Sequence, residues 1–324
     1  MKYLLLKYKW LIAIICCACF VACEPDSVAS GQNPISFGSS RKNSSYNPSA
    51  IDVNATLWGY RTYNNTTTTV FDGVDARLYE TDETESGYDL EIKRATQYWN
   101  IGTYQFYSVS PQLENASITN NALTISNFDI SSQTDILAAV SSSINVNKLE
   151  YNTPVGLTYN HLLARVKFVG YSALDNDVTL KSISLITPKK ADYTIAQTSS
   201  TCNIEGTETV TISKSDEKVL KPKGSSGYTP NITGDEGFYV HPLVVEKTYF
   251  TVTYLDASGA SKTLETPICL SVANSEITEW QAGNSYEYTI YIKTSGEIIF
   301  GGVTIVNWEE DETNSKDYPF DITP

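Results

Sequence analysis

The sequence predicts an all-β protein, and three observations support that fold class. Several segments alternate apolar and polar residues with a period of two, turn signals separate these segments, and almost no segment has a helical period. Tyr, Thr, Val and Ile are abundant, and these residues fit pleated, half-buried surfaces. Many short strands at this spacing indicate a sandwich or a barrel rather than a parallel α/β sheet.

The clearest strand covers residues 286–292, where large apolar side chains occupy every second position. Residues 162–168 and 250–254 alternate in the same way, so each is predicted to place one face on a core. Residues 135–140 fit either one helical turn or a strand, and the pattern does not decide between them.

Turn signals follow several of these strands. Asp72-Gly73, residues 256–259 and Ser295-Gly296 combine the residue types that tight turns require, and each is predicted to connect a hairpin.

The chain is long for one sandwich, and the polar stretch 145–158 precedes a strong strand. We therefore predict an N-terminal sandwich over residues 34–150 and a C-terminal sandwich over residues 151–324. Residues 215–237 contain several Pro and Gly residues and are predicted to form a long exposed loop in the second domain.

The first residues are predicted to be a lipoprotein signal peptide. Lys2, Lys7 and Lys9 precede an uncharged, mostly apolar stretch, residues 10–22, which is too short to span a bilayer comfortably. Its end, Val21-Ala22-Cys23, resembles the bacterial lipobox. We expect residues 1–22 to be removed, Cys23 to be lipidated, and residues 23–33 to form a polar tether to the outer membrane. The acidic residues Glu24 and Asp26 resemble the surface-export signal of Bacteroidetes lipoproteins.

The net charge argues against nucleic-acid binding. The whole chain carries −14, and because three lysines and no acid leave with residues 1–22, the processed chain carries −17. An acidic body without a basic stripe repels phosphate backbones.

Beyond Cys23, the remaining cysteines are Cys202 and Cys269. In an oxidising compartment they could form a disulfide; the alternative is two separate buried thiols. Neither belongs to a CxxC or Cys/His cluster, so the sequence predicts no metal site.

Motifs for catalysis are missing from the sequence. His161 and His241 lack metal-ligand partners at nearby positions, and we interpret both as structural. No nucleophile elbow, HExxH, P-loop or dinucleotide fingerprint occurs. The acidic run 309–312 lacks the pattern of a calcium loop and is predicted to be solvated. We therefore expect no cofactor and no enzymatic activity.

Several segments, in this order and spacing, resemble the fimbrillin family of Bacteroidetes, the subunits and accessory lipoproteins of type V pili. They are the aromatic strand ending in Pro (104–111), the segment Thr134 to Ala139, the central strand with its aromatic, His and basic residue (157–168), the Gly-x-x-Tyr-x-Tyr entry to a late strand (280–288), and the closing Val306-Asn307-Trp308.

The resemblance implies two transthyretin-like β-sandwich domains in tandem and an assembly mechanism. In polymerising members, the lipidated precursor reaches the outer membrane, where a surface protease cuts after an Arg just past the first strand. Loss of that strand opens an apolar groove, and a strand from another pilus subunit fills it.

In this sequence, the resemblance assigns the removable strand to the segment containing Ile35 and Phe37, which share one face. Arg41 would be the cut site, and Arg61 and Arg77 are poorer candidates. The chain departs from the pattern near its end, because the residues after 308 begin with an acidic run and include only three sizeable apolar residues, Tyr318, Phe320 and Ile322. The donor strand and the stalk, tip or anchor role therefore stay open.

A rival hypothesis is a surface glycan-binding lipoprotein of a polysaccharide-uptake system that uses exposed Trp58, Trp99 and Trp280. A host glycan or protein receptor is compatible with either hypothesis. A carboxylate-based hydrolase ranks last among the hypotheses; it stays open because spatial pairs of carboxylates cannot be seen in a sequence.

Overall fold

A computed structural model describes residues 32–38, 52–80, 88–93, 96–173, 176–244, 248–256, 258–267, 277–293, 295–307 and 316–319. Within these ranges the chain forms strands, turns and a single 3₁₀ turn, Ile130–Ser132, so the predicted all-β class is confirmed. The described residues include no helix with the length and hydrophobicity needed to cross a bilayer.

The strands of the described residues are β1 Phe37–Gly38, β2 Asp52–Tyr63, β3 Thr66–Glu80, β4 Tyr88–Ile92, β5 Gly102–Ser110, β6 Ala116–Thr119, β7 Ala122–Asp129, β8 Leu137–Val140, β9 Ile144–Val146, β10 Val155–Gly156, β11 Asn160–His161, β12 Ala164–Ser172, β13 Val178–Pro188, β14 Lys190–Ala196, β15 Ser199–Ile204, β16 Thr209–Lys214, β17 Lys218–Leu220, β18 Phe238–Val240, β19 Leu243–Val244, β20 Tyr249–Leu255, β21 Ser261–Pro267, β22 Glu279–Trp280, β23 Asn284–Ile292, β24 Ile298–Asn307 and β25 Lys316–Pro319.

Among the described residues these strands form four large sheets. Sheet 1 has the order β11-β8-β5-β2-β3-β4, with β9 also on β5, and sheet 2 has the order β15-β14-β7-β6. Sheet 3 has the order β18-β12-β23-β24-β25, and sheet 4 has the order β16-β13-β20-β21, with β17 also on β13. Two small pairs, β1-β10 and β19-β22, complete the set. The described strands pair antiparallel except β1 with β10 and β12 with β23.

Sheets 3 and 4 face each other as a sandwich, because their strands alternate as the sequence predicts. β12 and β23 bury every second residue along most of their length. Phe168 of sheet 3 stacks on Phe250 of sheet 4 with ring centroids 5.3 Å apart, and Phe300 meets Phe250 edge-on at 5.2 Å. The predicted strands at 250–254 and 286–292 and the hairpins at 256–259 and 295–296 are confirmed.

Sheet 1 separates two clusters of buried side chains. Neighbouring residues of one strand point to opposite faces, so Leu57 enters one cluster and Trp58 enters the other. We call the first the N-terminal core; it contains Ile35, Phe37, Leu57, Phe71, Trp99, Phe106, Val155, Leu157 and Tyr159 among others. The second, the shared core, extends from Trp58 to Val303.

Sheet 2 joins the two halves of the chain. Its strands β6 and β7 come from the first predicted domain, and β14 and β15 come from the second. β7 and β14 pair directly, for example Ile125 with Tyr193. The halves are therefore linked by backbone hydrogen bonds as well as by the shared core, while the boundary between residues 150 and 151 stays a prediction.

The predicted turn at Asp72-Gly73 is wrong, because both residues lie inside β3. There β3 carries an extra residue opposite β2, and Gly73 takes a φ of 60°, which is the geometry of a β-bulge. The hairpin turn lies at Asn64-Asn65, with φ of 49° and 61°. Asn tolerates the left-handed region better than most residues.

Tertiary packing decides the conformation of two other segments. Residues 137–140 form strand β8 rather than a helical turn, paired with β5 in sheet 1. The exposed loop predicted at 215–237 is wrong in part: it contains β17 and buries Leu220 and Ile232 against sheet 3.

Candidate functional site

The first described segment, residues 32–38, lies between two other stretches of backbone. The Ile35 amide donates to the Gln97 carbonyl at 2.8 Å, and the Trp99 amide donates to the Asn33 carbonyl at 3.0 Å. On its other side, the Val155 amide donates to the Ser36 carbonyl at 2.8 Å. The segment is thus held by backbone bonds to positions distant in sequence.

Its side chains alternate between the N-terminal core and solvent. Ile35 and Phe37 are buried, whereas Pro34 and Ser36 are exposed, as the predicted placement of Ile35 and Phe37 on one face requires. The Phe37 ring meets the Phe106 ring edge-on at a centroid distance of 5.3 Å.

Removal of this segment would uncover a groove of defined chemistry. Its floor would be the rings of Phe71 and Phe106, and its walls would expose the Gln97 carbonyl and the amides of Trp99 and Val155. Unpaired backbone groups beside apolar pockets accept an extended strand with alternating apolar side chains.

Several predicted site residues lie outside the described residues: Cys23, Arg41 and Cys269. The two poorer candidates for cleavage, Arg61 and Arg77, lie within β2 and β3. A protease binds its substrate as an extended segment that is free of other backbone partners. The paired backbone at Arg61 and Arg77 is therefore a poor substrate in the folded chain.

Cys202 lies in β15 beside Tyr193. Burial raises the pKa of its thiol to about 11, which disfavours the reactive thiolate at neutral pH. Among the described residues Cys202 forms no disulfide, and pairing with Cys269 stays a prediction.

Both histidines are buried and hydrogen-bonded. His161 Nδ1 lies 2.5 Å from Asp135 Oδ2. His241 Nε2 lies 3.2 Å from the Lys189 carbonyl, so this nitrogen carries the proton, and the Tyr193 hydroxyl donates to Nδ1 at 2.7 Å. Burial lowers the pKa of His241 to about 4, consistent with a neutral structural ring.

No group of three metal-ligating side chains occurs in the part of the chain that the structure describes.

The proposed tryptophan platform is wrong. Trp58, Trp99 and Trp280 each expose 6% or less of their surface. Trp99 packs edge-on against Tyr104 in the N-terminal core, and the Trp280 indole donates to the Tyr288 hydroxyl inside the shared core. Large aromatic side chains in strands serve as core residues here, and buried rings offer a sugar no stacking face.

Sequence reasoning missed an exposed feature, the tip of the β2–β3 hairpin. Residues 62–69 are exposed throughout, and Tyr63 is among the most exposed large side chains of the described residues. The loss of hydrophobic alternation after Tyr60, followed by Asn64-Asn65 and a run of threonines, was the available signal.

Three solved structures that are similar to this chain come from species of Bacteroides and Porphyromonas. A protein described as a cell adhesion protein from Bacteroides uniformis matches with a TM-score of 0.52 and 15% identity, over 85% of this chain and 98% of that chain. A fimbrial protein from Bacteroides vulgatus gives 0.49 and 11%, over 85% and 100%. The tip fimbrial protein Mfa3 from Porphyromonas gingivalis gives 0.47 and 10%, over 86% and 100%. The first match shows a common fold.

A comparison with curated proteins found no match. A family model described as fimbrillin-like matches residues 20–308, which is most of the chain and includes both cores. The chain therefore belongs to the fimbrillin-like family.

Proposed function

We propose that this protein is a fimbrial subunit or accessory adhesin that assembles at the cell surface by exchange of its first strand. The observation that carries the proposal is the segment 32–38, which contributes Ile35 and Phe37 to the N-terminal core and bonds through its backbone to Gln97, Trp99 and Val155. All three partners follow the segment in the chain, so a cut directly after it would leave them covalently joined to one another.

Family membership supports the coarser part of the proposal. The fimbrillin-like family comprises fimbrial and adhesion proteins without catalytic activity, and this chain is not an enzyme.

The finer steps concern residues outside the described ranges. Lipidation of Cys23 would hold the precursor at the outer membrane, and cleavage after Arg41 would free the segment that contains Ile35 and Phe37. A strand from another subunit would then pair with the Trp99 and Val155 amides. It would also place apolar side chains against Phe106.

Strand β25 is the best candidate donor in the described chain. It lies at the edge of sheet 3 and pairs with β24 from Gly302 to Ile305, whereas β24 lies between β23 and β25. Because β24 buries Phe300 and Val303 in the shared core, its release would dismantle the second sandwich. Release of β25 would break one short edge pairing.

The test uses the chain from residue 24 to residue 324, which keeps every described residue. A trace of Arg-specific protease is added, and the products are followed by intact mass and by unboiled, non-reducing SDS gels. We expect one cut after Arg41, followed by ladders of SDS-resistant oligomers. Arg41→Gln should abolish both, and Arg77→Gln should change neither.

Resistance at Arg41, or cleavage that leaves a monomer, would remove the role of a polymerising stalk subunit. If Arg41→Gln is still cleaved and still forms ladders, the cleavage site lies at a residue other than Arg41. A truncation after Asn307 that still forms ladders would exclude β25 as the donor.

A further inference from the structure

The β2–β3 hairpin extends beyond sheet 1 as a two-stranded ribbon. The pairing of β2 with β5 ends at Thr62 and Thr103, and β3 pairs with β4 only from Ala76 onward in the described chain. Residues 62–69, which we call the ribbon tip, therefore expose side chains on both faces. Their side chains are mostly hydroxyls and amides: Thr62, Asn64, Asn65, Thr66, Thr67, Thr68 and Thr69.

An arginine at the base of this ribbon is held in one position. Arg61 Nε donates to the Ile101 carbonyl at 3.0 Å. Its side chain crosses Gly102, where a Cβ would lie 3.0 Å from Arg61 Cγ and Nε, and where φ is +153°. The missing side chain of Gly102 is therefore what lets the Arg61 stem lie against the backbone.

The guanidinium lies beside an exposed ring. Arg61 Cζ is 5.4 Å from the centroid of the Tyr63 ring. Tyr63 is 46% exposed and Ile101 is 39% exposed. Thr66 and Thr68 are the cross-strand partners of Tyr63 and Arg61, and directly opposed residues share a face of the sheet. One face of the ribbon thus combines a cation, an aromatic ring and hydroxyls.

The charge at this position is unusual for the molecule. Within the described ranges no carboxylate lies at salt-bridge distance from Arg61, although the chain as a whole carries −14. A guanidinium whose Nε is already fixed by a neutral carbonyl keeps its terminal N–H groups for a planar anion, and carboxylate fits that geometry.

We propose that this face of the ribbon binds a carboxylated sugar, a sialic or uronic acid at the surface of a glycan. The sugar carboxylate would pair with Arg61, the apolar C–H face of the ring would pack on Tyr63, and its hydroxyls would meet Thr66 and Thr68. Residues 62–69 are exposed throughout, so this face offers no buried pockets for the alternating side chains of an extended peptide. This inference rests on the adhesin part of the proposed function, because it names the ligand class, and it needs no strand exchange.

The test is a calorimetric or NMR titration of the monomeric chain, residues 24–324. The probes are 3′-sialyllactose and trigalacturonate, with lactose as the neutral control and hexaglutamate as the acidic peptide control. We expect one or both acidic sugars to bind with a Kd of roughly 1 mM, typical of a small open site. Lactose and hexaglutamate should bind at least tenfold more weakly.

Variants distinguish a specific site from general electrostatics. Arg61→Gln and Tyr63→Ala should each weaken binding at least tenfold, and Arg61→Lys should also weaken it, because an ammonium lacks the planar fork. Lys262→Gln removes one exposed positive charge in sheet 4 and should leave binding unchanged. Thermal unfolding of each variant should match wild type, because Arg61, Tyr63 and Lys262 all lie outside the two cores.

Three results would overturn the inference: no binding of either acidic sugar, equal binding of lactose, or equal binding of hexaglutamate. Equal binding of hexaglutamate would assign the face to acidic peptides instead. Which sugar binds identifies the source of the carboxylate, because sialic acid carries it on the anomeric carbon, whereas galacturonate carries it on C5 of the ring. Cleaved Arg61→Gln should still form oligomer ladders, so failure of this site and failure of the assembly proposal remain distinguishable.

Discussion

The docking of the first strand can be tested through one aromatic side chain. Phe37 is buried in the N-terminal core, where its ring meets those of Phe71 and Phe106. Truncation of a buried Phe to Ala typically costs 3–5 kcal/mol. We expect Phe37→Ala to weaken the docking of this segment by about 3 kcal/mol. This is the low end of the range, because the neighbours of a short segment can relax into the space.

The structure provides an amide that reports on this docking alone. The Val155 amide donates to the Ser36 carbonyl at 2.8 Å, so it becomes free to exchange when the first strand leaves. A loss of about 3 kcal/mol corresponds to roughly 150-fold faster exchange, at 1.36 kcal/mol for each factor of ten. Hydrogen exchange followed by NMR or mass spectrometry measures this directly.

Two comparisons make the result decisive. Ser36→Ala changes an exposed side chain in the same segment, residues 32–38, and should alter exchange of the Val155 amide little. The Ile232 amide, bonded to the Phe168 carbonyl at 3.0 Å in the second sandwich, should keep its wild-type rate in both variants. If Val155 and Ile232 accelerate together in Phe37→Ala, the first strand leaves only by global unfolding and the reasoning fails. It also fails if Phe37→Ala resembles Ser36→Ala.

Three further predictions follow. The native fold lowers the pKa of His241 to about 4 from about 6.5. Between these pH values the unfolded chain binds more protons than the folded chain, so the free energy of unfolding falls as pH drops through this window. The loss at pH 4.5 is about 2–3 kcal/mol. Urea unfolding at pH 7.5 and 4.5 checks this, and His241→Asn should flatten the difference. Tyr159→Phe removes a buried hydroxyl bonded at 2.7 Å to a serine hydroxyl and should cost about 1–2 kcal/mol in urea unfolding, while Tyr63→Phe should cost under about 0.5. Gly102→Ala should displace the arginine stem and weaken acidic-sugar binding about tenfold in the titration, whereas Gly206→Ala, with open space around it, should leave binding unchanged.

Local pattern determined much of the fold. Alternation at 250–254 and 286–292 specified strands and their buried faces, because side chains of a strand point to opposite sides at every step. The same rule placed Ile35 and Phe37 on one face. Residues 135–140 stayed ambiguous, since a short apolar run carries no period, and pairing with β5 decided it.

Tertiary structure alone decided which aromatic side chains are accessible. Trp58 and Tyr63 lie on the same strand, yet Trp58 is buried in the shared core, whereas Tyr63 lies beyond the last residue of β2 that pairs with β5. The residue types along β2 do not indicate where its pairing with β5 ends. Asp72-Gly73 has the residue types of a turn, and the local sequence does not show that β3 continues to pair with β2 on both sides of it. The structure places a bulge there instead.

Residue order alone specifies the all-β class, the resemblance to fimbrillins and the alternating face of the first strand, because hydrophobic period and motif spacing can be read along the chain. The tertiary structure decided what that strand packs against, how sheet 2 joins the two halves, and that Arg61 lies over Gly102 beside Tyr63. These are contacts between positions far apart in the chain, or between neighbouring strands whose register depends on the whole sheet, and hydrophobic periodicity carries no information about them.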